Sequence, residues 1–568
     1  MIVIGLNSGE INSSAALVVN GVLKTAAQEE RFNRQKFTSR FPSNALEFCL
    51  EDANLKFEDC DYFAQAWNPG AAWHKFDGLR SVHRRDRAEY FYSLPDNLFK
   101  HTDRAPGDWV QMSFPKGLPP IYFVQHHLSH AANAFFMSQM EEAAILTCDF
   151  RGEFECTTFG KGQGNSFEIF KKQQLPHSLG LLYAAFTELL GYKSDCDEWK
   201  VMALSAFNVD AQEITDKIRT TFRLLGDGRL ELDESYYKGA HIDTPKLYTQ
   251  KLVDLLGGRE PAPREELDDW MLSVAKGMQT VAEEIASHYL KHLYERTRCD
   301  NLVVGGGFFM NSVFNGKVLD RSHFKNFQVS FAPSDSGNSI GAALYVSHLI
   351  HGQPRTISSW SSPYLGPEFS NDAIKNVLTK RRITFEQEKD SAKKTADLLA
   401  KGEVIAVFQG RMEFGDRALG NRSILADPRN PLTKDRINSA IKYRESYRPF
   451  APIVLEDQAH IYFNVPEGFQ SHYMEKVRPI RDKFHAQIPA VTHVDGSGRL
   501  QTVTKNTNPW LFDVVTHFKE ITGLPIILNT SFNINGEPIV RTPDDAISTF
   551  FNSGLDNLVL GNYFVKKN

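Results

Sequence analysis

The sequence is poor in cysteine, with six in 568 residues. No two of them form a Cys-x-x-Cys pair, which excludes a zinc-knuckle spacing, and their number is too small for a disulfide framework. They are Cys49, Cys60, Cys148, Cys156, Cys196 and Cys299. Such sparse use of cysteine favours a reducing compartment.

The sequence also lacks a secretory start and long apolar runs. Its first ten residues, MIVIGLNSGE, contain no basic segment followed by a long apolar one, so we expect no signal peptide. No stretch approaches the ~18 uninterrupted apolar residues that a bilayer crossing needs, so we expect no membrane partner. Together these features predict a cytoplasmic protein.

There is no basic excess. Lys and Arg number 64 against 69 Asp and Glu, which gives a formal net charge of −5 and a pI of about 6.4. A general nucleic-acid binder usually carries a basic surplus, so we expect no nucleic-acid partner. A local basic pocket for anionic metabolites remains compatible with this balance. The content of 42% hydrophobic and 23% charged residues is that of a globular protein.

Two segments share one strand–turn–strand pattern. Residues 1–30 read as three short strands joined by turns, the second turn being Asn-Gly. Residues 141–162 repeat the pattern, with an apolar strand that runs into Asp149-x-x-Gly152 and then into another strand. A third apolar strand, at residues 301–305, ends in three glycines before a helix-like stretch. The repetition predicts a duplicated α/β fold.

A probable linker separates this part from a second α/β domain. Residues 351–372 are rich in Pro, Gly and Ser and show neither helical nor strand periodicity. An amphipathic helix (residues 371–382) and an apolar strand (residues 402–411) follow. We therefore place a domain boundary near residue 360.

Residues 121–139 contain a candidate metal site. A short apolar strand leads into an Ala-rich helix in which His126 and His130 are four residues apart, so both imidazoles lie on one face. That spacing suits two ligands of iron or zinc, whereas ordinary structural histidines explain it equally well. Position 127 is His and not Glu, so the metalloprotease motif is absent. Asp149 and Asp335 are candidate carboxylate ligands, or simply turn formers beside glycine.

The start of the second domain is rich in arginine. Arginine recognises phosphate and carboxylate groups bidentately, and the interspersed glycines let backbone N–H groups contribute. The candidates for an oxyanion site are Arg411, Arg417, Arg422, Arg429, Arg444 and Arg448. Near the C-terminus, Asn529, Thr530, Ser531 and Asn533 offer neutral hydrogen-bonding groups, which Asx and Ser/Thr turns also explain.

These segments together resemble the NodU/CmcH carbamoyltransferase family, which includes tobramycin, cephamycin and novobiocin carbamoyltransferases. The resemblance covers essentially the whole chain. The matching runs are GLN…SSAALVVNG, QEERFNRQK, QHHLSHAANAFF, GGGFFMNSVFNGK, PSDSGNSIGAA, GDRALGNRSILADPR, YRPFAP and LNTSFNINGEPIV. Their order and combination are specific, although each run alone is not.

The resemblance implies an N-terminal actin-like (ASKHA, duplicated) domain, residues 1–355, fused to a C-terminal YrdC-like α/β domain, residues 356–568. The C-terminal domain is expected to form carbamoyl-adenylate from carbamoyl phosphate and ATP with Mg²⁺. The actin-like domain is expected to hold an Fe²⁺ ion and to transfer the carbamoyl group to a hydroxyl of a small metabolite, as in antibiotic biosynthesis. A homodimer is the default expectation.

The resemblance also implies roles for individual residues. Asp149 resembles both a metal-side residue and a contact of the carbamoyl-adenylate. The catalytic residues would be Asp149, His126 and His130, and the iron ligands His126, His130 and Asp335 with Asp149 beside them. The nucleotide contacts would be Lys36, Asp149, Gly307, Asn311 and Arg499, and the carbamoyl phosphate contacts Arg417, Arg448, Arg499 and Asn533. Three groups are candidates for the base that takes the hydroxyl proton during the transfer: the acceptor substrate itself, a water molecule and Asp149.

Five positions in three segments depart from the family pattern. Ile11-Asn12 stands where the family commonly has His-Asp. The usual Gly-Lys-Val-Met-Gly-Leu run appears with Trp199 and Ala203 in place of its glycines, and Asn535 replaces a basic residue. These substitutions predict a changed acceptor pocket and one fewer phosphate contact.

Other interpretations predict different chemistry. A tRNA threonylcarbamoyl-type enzyme would share both folds, although the acidic net charge disfavours tRNA. An actin-like sugar kinase or ATPase would release ADP and would have no use for the histidine pair. A nucleotide- or metal-sensing module would show no turnover. The loops at residues 68–118 and 208–265 carry no readable motif, and within the first of them residues 71–99 read as a solvated helix or as a pocket wall.

Overall fold

The computed structural model describes residues 1–9, 11–69, 118–238, 246–263, 265–445, 447–448 and 450–567. The segment 71–99 therefore lies outside the described residues. Among the described helices, none combines the length and the apolar content that a bilayer crossing requires.

The first sheet confirms the predicted strand–turn–strand start. Its strands are β1 (Ile2–Asn7), β2 (Ser14–Val19), β3 (Val22–Gln28), β4 (Tyr62–Gln65) and β5 (Ile121–Phe123). Their order is β3-β2-β1-β4-β5. The first three pair antiparallel, whereas β4 and β5 continue the sheet in parallel.

The second sheet repeats this topology. Its strands are β6 (Glu142–Cys148), β7 (Glu155–Gln163), β8 (Ser166–Gln174), β11 (Asn301–Gly305) and β12 (Asn326–Val329). The order β12-β11-β6-β7-β8 has the same sequence of antiparallel and parallel pairs as the first sheet. The identical topology confirms the predicted duplication. A small hairpin, β9 (Phe222–Leu224) and β10 (Leu230–Leu232), is inserted before the last two strands.

A nine-stranded mixed sheet forms the second α/β unit. Its order is β13-β21-β20-β14-β15-β19-β16-β18-β17. The strands are β13 (Glu386–Gln387), β14 (Ile405–Phe408), β15 (Arg422–Ala426), β16 (Ala451–Leu455), β17 (Lys476–Pro479), β18 (Ser497–Val503), β19 (Ile526–Ser531), β20 (Asn557–Leu560) and β21 (Tyr563–Lys566). The predicted strand within residues 402–411 is β14.

Sixteen α-helices surround the sheets in the part of the chain that the structure describes. In the first part they are α1 (Glu30–Asn33), α2 (Ser43–Asp52), α3 (His126–Phe136), α4 (Leu179–Leu189), α5 (Glu198–Leu204), α6 (Gln212–Arg219), α7 (Gln250–Leu255), α8 (Asp269–Thr297), α9 (Ser312–Asn315) and α10 (Asn338–Tyr345). In the second part they are α11 (Asn371–Lys380), α12 (Ser391–Ala400), α13 (Leu432–Ile437), α14 (Ala459–Tyr462), α15 (Pro509–Thr522) and α16 (Pro543–Phe551).

Local sequence signals set the ends of the longer helices. The Asp268 side chain accepts a hydrogen bond from the Met271 backbone N–H at the start of α8, as an N-cap aspartate does. Helix α15 begins with Asn508 as N-cap and Pro509 at its first turn, and it ends at Gly523 in the left-handed conformation. Thr542 and Asp545 form a capping box at α16.

The segment between the two units is packed and not a free tether. From 351 to 370 it contains no helix or strand, as predicted, apart from a bridge between Tyr364 and Glu413. The Leu365 carbonyl accepts hydrogen bonds from the Thr25 hydroxyl at 2.9 Å and from the Arg411 guanidinium at 2.9 Å. This segment therefore joins the residues before it, here called the N-terminal unit, to those after it, the C-terminal unit. The boundary at 355/356 stays a prediction.

Candidate functional site

Helix α3 carries the two histidines directly after strand β5. His126 is its first residue, and His130 follows one turn later, so both rings lie on the buried face. The side chains are 1% and 0% exposed, respectively. Their Nε2 atoms lie 3.0 Å apart.

Two carboxylates complete this cluster from other elements. Asp149 follows strand β6, and its Oδ2 lies 2.8 Å from His130 Nε2 and 3.8 Å from His126 Nε2. Asp335 lies in a 3₁₀ turn before α10, and its Oδ1 lies 3.4 Å from each of the same nitrogens. One ligand atom from each of the four residues lies within 4.8 Å of all the others. The structure thus brings together the four residues that the sequence named for this site.

The cluster fits a divalent transition metal. Around one ion with bonds of about 2.0–2.2 Å, neighbouring ligand atoms lie roughly 3 Å apart, which is close to the observed separations. Two imidazoles and two carboxylates suit ferrous iron or zinc. The Asn338 amide nitrogen lies 3.1 Å from His130 Nε2. Sequence reasoning did not identify Asn338 as a neighbour of the ligands. His127 faces away, with Nδ1 2.7 Å from the Thr147 hydroxyl, as the helical spacing predicts.

The imidazoles and carboxylates of this cluster shift each other's pKa values. Burial opposes a charged imidazole, but Asp335 and Asp149 outweigh it and raise the pKa of His126 to about 9. Burial likewise opposes the Asp149 carboxylate, yet hydrogen bonds from both histidines hold its pKa well below the usual range. A metal ion binds the deprotonated imidazoles, so its binding would release protons from this cluster.

Glycines allow the turn that carries Asp335 and the helix α10 after it to lie close to neighbouring main-chain atoms, including those of α3. A Cβ atom on Gly341 would lie 1.8 Å from the Ser129 carbonyl oxygen of α3, and one on Gly337 would lie 2.0 Å from the Ala332 carbonyl oxygen. Both separations are far below any van der Waals contact. Helix α10 therefore packs on α3 through main-chain atoms, with Asp335 fixed beside the histidines.

The glycine-rich element after β11 lies against the same aspartate. Gly306 adopts a φ of 99°, a conformation that favours glycine. The Gly307 backbone N–H donates to Asp149 Oδ2 at 2.9 Å. The stretch begins as a 3₁₀ turn (Gly307–Met310), and Asn311 then caps α9 by accepting from the Phe314 N–H at 3.0 Å. The strand–glycine–helix prediction is thus correct in order, with a 3₁₀ turn inserted.

One cavity of about 420 Å³ is lined by both units. Its wall contains every candidate nucleotide and carbamoyl phosphate residue. From the N-terminal unit these are Lys36, Asp149, Gly307 and Asn311, and from the C-terminal unit Arg417, Arg448, Arg499 and Asn533. Because Asp149 belongs to both the cavity and the histidine cluster, the two candidate sites are continuous.

The cavity wall of the C-terminal unit is strongly cationic. Burial lowers the pKa of Arg417 and of Arg499, and in the latter the neighbouring Arg417 and Arg444 lower it further. Burial and Arg448 lower the pKa of Arg444 to about 9. The buried Nε of Arg499 and one Nη of Arg444 have no hydrogen-bond partner within the protein. A bound oxyanion would satisfy these donors and offset their mutual repulsion.

Lys442 is a cation that the sequence reasoning missed. Burial and the neighbouring Arg444, Lys36 and Arg448 hold its pKa well below the usual range. Its ammonium donates to Asn533 Oδ1 at 2.7 Å and thereby orients that predicted amide. Lys442 immediately precedes the Tyr-Arg-Glu-Ser-Tyr-Arg run. Its place next to these arginines was the sequence signal that could have identified it as a cation of the site.

Three arginines of the predicted oxyanion site have other partners. Arg422 is fully buried, and its guanidinium donates to backbone carbonyls, among them Gln409 at 2.6 Å. Arg411 pairs with Asp52 at 2.7 Å, and Arg429 pairs with Asp427. None of the three is on the cavity wall, so the prediction is wrong for them. Spacing alone did not separate arginines that face a ligand from those that tie loops together.

All five positions that depart from the family pattern line the cavity. Asn12 has a φ of 62°. The Trp199 ring lies 4.3 Å from the Arg448 guanidinium carbon. The Asn535 amide donates to the Tyr443 carbonyl at 3.3 Å. Ile11 and Ala203 are the other two positions.

Comparison with known families identifies the chain. Residues 3–344 match the model of the carbamoyltransferase N-terminus, and residues 396–567 match that of the carbamoyltransferase C-terminus. The chain belongs to the carbamoyltransferase family and is an enzyme of that class.

Curated relatives support the same assignment over most of the chain. The Synechocystis protein sll1178 is 35% identical, covering 100% of this chain and 96% of its own. The nodulation protein NolNO of Sinorhizobium fredii is 36% identical over 98% of this chain and 79% of its own length. The 3'-hydroxymethylcephem-O-carbamoyltransferase of Amycolatopsis lactamdurans is 32% identical over 61% and 66%, respectively.

Solved structures resemble the chain more remotely. The activator of 2-hydroxyisocaproyl-CoA dehydratase from Clostridium difficile, with bound ADPNP, is 14% identical, with a TM-score of 0.32, over 63% of this chain and 100% of its own. Such a score is too low to assign a fold. The description of the fold as α/β and duplicated therefore rests on the two matching sheets.

Proposed function

We propose that this carbamoyltransferase forms carbamoyl-adenylate from carbamoyl phosphate and ATP and then carbamoylates a hydroxyl of a small metabolite. The single observation that carries the proposal is the shared cavity. Anion-binding side chains of the C-terminal unit and Asp149 of the metal-type cluster line one cavity. An activated carbamoyl group made at one end would have a short path to the other.

The first half-reaction suits the cationic wall. Water cleaves carbamoyl phosphate to carbamate and phosphate, and a carbamate oxygen then attacks the α-phosphorus of ATP, so that pyrophosphate leaves. Both steps redistribute charge over phosphate oxygens, and their catalysis is mostly positioning and charge neutralisation. Arg417, Arg448 and Arg499 supply planar donors, and Asn533, held by Lys442, supplies a neutral one. Mg²⁺ would accompany the nucleotide.

The second half-reaction suits the histidine cluster. The acceptor hydroxyl attacks the carbamoyl carbon, the bond to AMP breaks, and the hydroxyl proton passes to the acceptor itself, a water molecule or Asp149. His126, His130, Asp149 and Asp335 would hold Fe²⁺, which when bound supplies Lewis-acid polarisation of the carbamoyl oxygen. The Gly307 N–H, 2.9 Å from Asp149, orients that carboxylate. Lys36 and Asn311 would contact the nucleotide.

The same proposal covers the domain architecture, the oligomeric state, the location and the acceptor. We infer a YrdC-like second domain at residues 356–568 after an actin-like one at 1–355, and a homodimer is the working expectation. The six cysteines carry free thiols in the structure, which accords with the cytoplasmic prediction. By similarity to the cephem carbamoyltransferase, the acceptor would present a hydroxyl on a compact scaffold. The cavity-lining Asn12 and Trp199 would alter its selection.

The products formed in solution test the proposal. The enzyme is incubated with labelled carbamoyl phosphate, ATP, Mg²⁺ and Fe²⁺. We expect AMP and pyrophosphate whose formation depends on carbamoyl phosphate, and label transferred to a member of a panel of hydroxylated metabolites. Release of ADP instead would indicate a kinase. Label transferred to tRNA would favour the threonylcarbamoyl-type alternative.

A further inference from the structure

A group of side chains fastens the loop that carries Arg444 and Arg448 to the N-terminal unit. It consists of Tyr192, Trp199 and Lys200 in the N-terminal unit and of Glu445, Tyr447 and Arg448 in the C-terminal unit. The Trp199 ring lies 4.3 Å from the Arg448 guanidinium carbon. The hydroxyls of Tyr192 and Tyr447 lie 3.4 Å apart.

Charges reinforce the same contact. Glu445 Oε2 lies 2.7 Å from Arg448 Nε. Lys200 lies 3.1 Å from Asp197 and 3.9 Å from Glu445. Glu445 therefore interacts with cations of both units, and one carboxylate ties the loop to helix α5.

Arg448 is buried close to other cations of the cavity wall, while Glu445 beside it favours its charge. It is 7% exposed, and burial is the main cause that lowers its pKa. Its charge also helps to lower the pKa of Lys442, Arg444 and Lys36. A flexible cation among others would turn toward solvent unless something held it. The negative face of an indole ring attracts a guanidinium that lies over it, and the edge away from Glu445 can then face an anion.

We propose that Trp199 is a positioning residue for Arg448 and makes oxyanion binding in the C-terminal unit depend on the N-terminal unit. The proposal rests on the proposed function for the identity of the anion, a carbamoyl phosphate phosphoryl group. The stacked ring keeps the guanidinium plane fixed before the anion arrives. Anion affinity is then gained without reorganising the loop.

Three substitutions at one position test the role of the ring face. Trp199→Ala removes the ring, Trp199→Leu keeps apolar bulk without a π face, and Trp199→Phe keeps a π face. We expect the KM for carbamoyl phosphate to rise about tenfold in the Ala and Leu variants, with kcat and the KM for ATP within about twofold of wild type. Trp199→Phe should restore most of the loss.

A second tryptophan–arginine stack gives a matched control. Arg259 lies 5.5 Å from the Trp270 ring, and neither residue is on the cavity wall. Trp270→Ala should leave the KM for carbamoyl phosphate unchanged. Melting temperatures of all variants check the fold, and the comparison of Leu with Phe decides the question if the Ala variant is unstable.

Calorimetric titration with inorganic phosphate separates this inference from the proposed function. Phosphate affinity should fall about tenfold in the Ala and Leu variants, whichever reaction the enzyme catalyses. Equal phosphate affinity in the wild type and the Leu variant would overturn the inference, as would a loss confined to ATP. Failure of carbamoyl phosphate to stimulate pyrophosphate release would overturn the proposed function, while the phosphate titration would still decide the role of Trp199.

Discussion

The histidine cluster and the cationic wall meet at Asp149 but differ in how their charges are balanced. In the cluster, imidazoles and carboxylates alternate, and Asp149 lies 2.8 Å from His130. In the wall, Arg417, Lys442, Arg444 and Arg499 face one another, and their pKa values are all lowered. The first arrangement suits a cation that replaces protons, and the second suits an anion that relieves repulsion. The two halves of the proposed reaction should therefore be separable by mutation.

The largest effect should come from removing a wall cation. Arg499→Ala should lower the pyrophosphate release that depends on carbamoyl phosphate by about 10²- to 10³-fold, because a buried planar donor to the phosphates is lost. Initial rates of pyrophosphate release measure this. Arg436, which pairs with Asp556 away from the cavity, gives the control Arg436→Ala. A rate within twofold of wild type would remove Arg499 from the site.

Removing a cluster ligand should affect the opposite half-reaction. His130→Ala should lower carbamoyl transfer by about 10²-fold and reduce bound iron, while pyrophosphate release continues. Asp149→Asn should likewise reduce transfer far more than adenylate formation. Metal analysis and a split assay of the two steps measure this, with His517→Ala at the surface as control. Equal loss of both steps would contradict the separation.

Chelation sharpens the same comparison without mutation. Removal of metal from the wild type should reproduce the transfer defect of His130→Ala, and readded Fe²⁺ should restore transfer in the wild type alone. Labelled product and metal content are measured together. Full transfer by a metal-free enzyme would show that the cluster acts without a cation.

The main-chain contact of α3 with α10 should matter for both stability and metal affinity. Gly341→Ala places a methyl group against the Ser129 carbonyl and should lower the free energy of unfolding by about 1–3 kcal/mol. Thermal unfolding and iron content measure this. Gly226→Ala, at a glycine with open space around it, is the matched control and should change neither quantity. Undisturbed iron binding in the Gly341 variant would mean that the helices can separate without moving the ligands.

The smallest effect should be a pH dependence of the cationic wall. Burial and Arg448 lower the pKa of Arg444 to about 9, so this guanidinium loses its proton as the pH rises through this range. Positive charge is lost on the alkaline side, and the KM for carbamoyl phosphate should rise several-fold between pH 8 and about 10. Arg444→Gln should remove most of that pH dependence. A KM that falls over this range would have the wrong sign for the proposed site.

Sequence reasoning correctly predicted the features that depend on residues close together in the chain. His126 and His130 are one helical turn apart, and the two strand–turn–strand segments fold as predicted because apolar alternation and turn residues act locally. The distant residues Asp149 and Asp335 were joined to the histidines only through the family resemblance. Their proximity depends on how α10 packs on α3, and no local pattern reports that packing.

Arginines show where such reasoning fails. Arg417 and Arg422 lie five residues apart in one glycine-rich run, yet one lines the cavity and the other donates to backbone carbonyls behind it. Strand β15 begins at Arg422, and the side on which a strand residue projects is decided by sheet register. Trp199 gained its role from a contact across the two units, and Lys442 from contacts with the distant residues Ser531 and Asn533.

The glycine contact between α3 and α10 has a consequence for divergence within the family. Two helices that touch through peptide groups keep their spacing whatever side chains surround them. The distance between the imidazoles and the Asp335 carboxylate therefore changes little when residues of the neighbouring core are replaced. Core residues beside α3 can therefore change without altering the ligand geometry, provided that position 341 stays glycine.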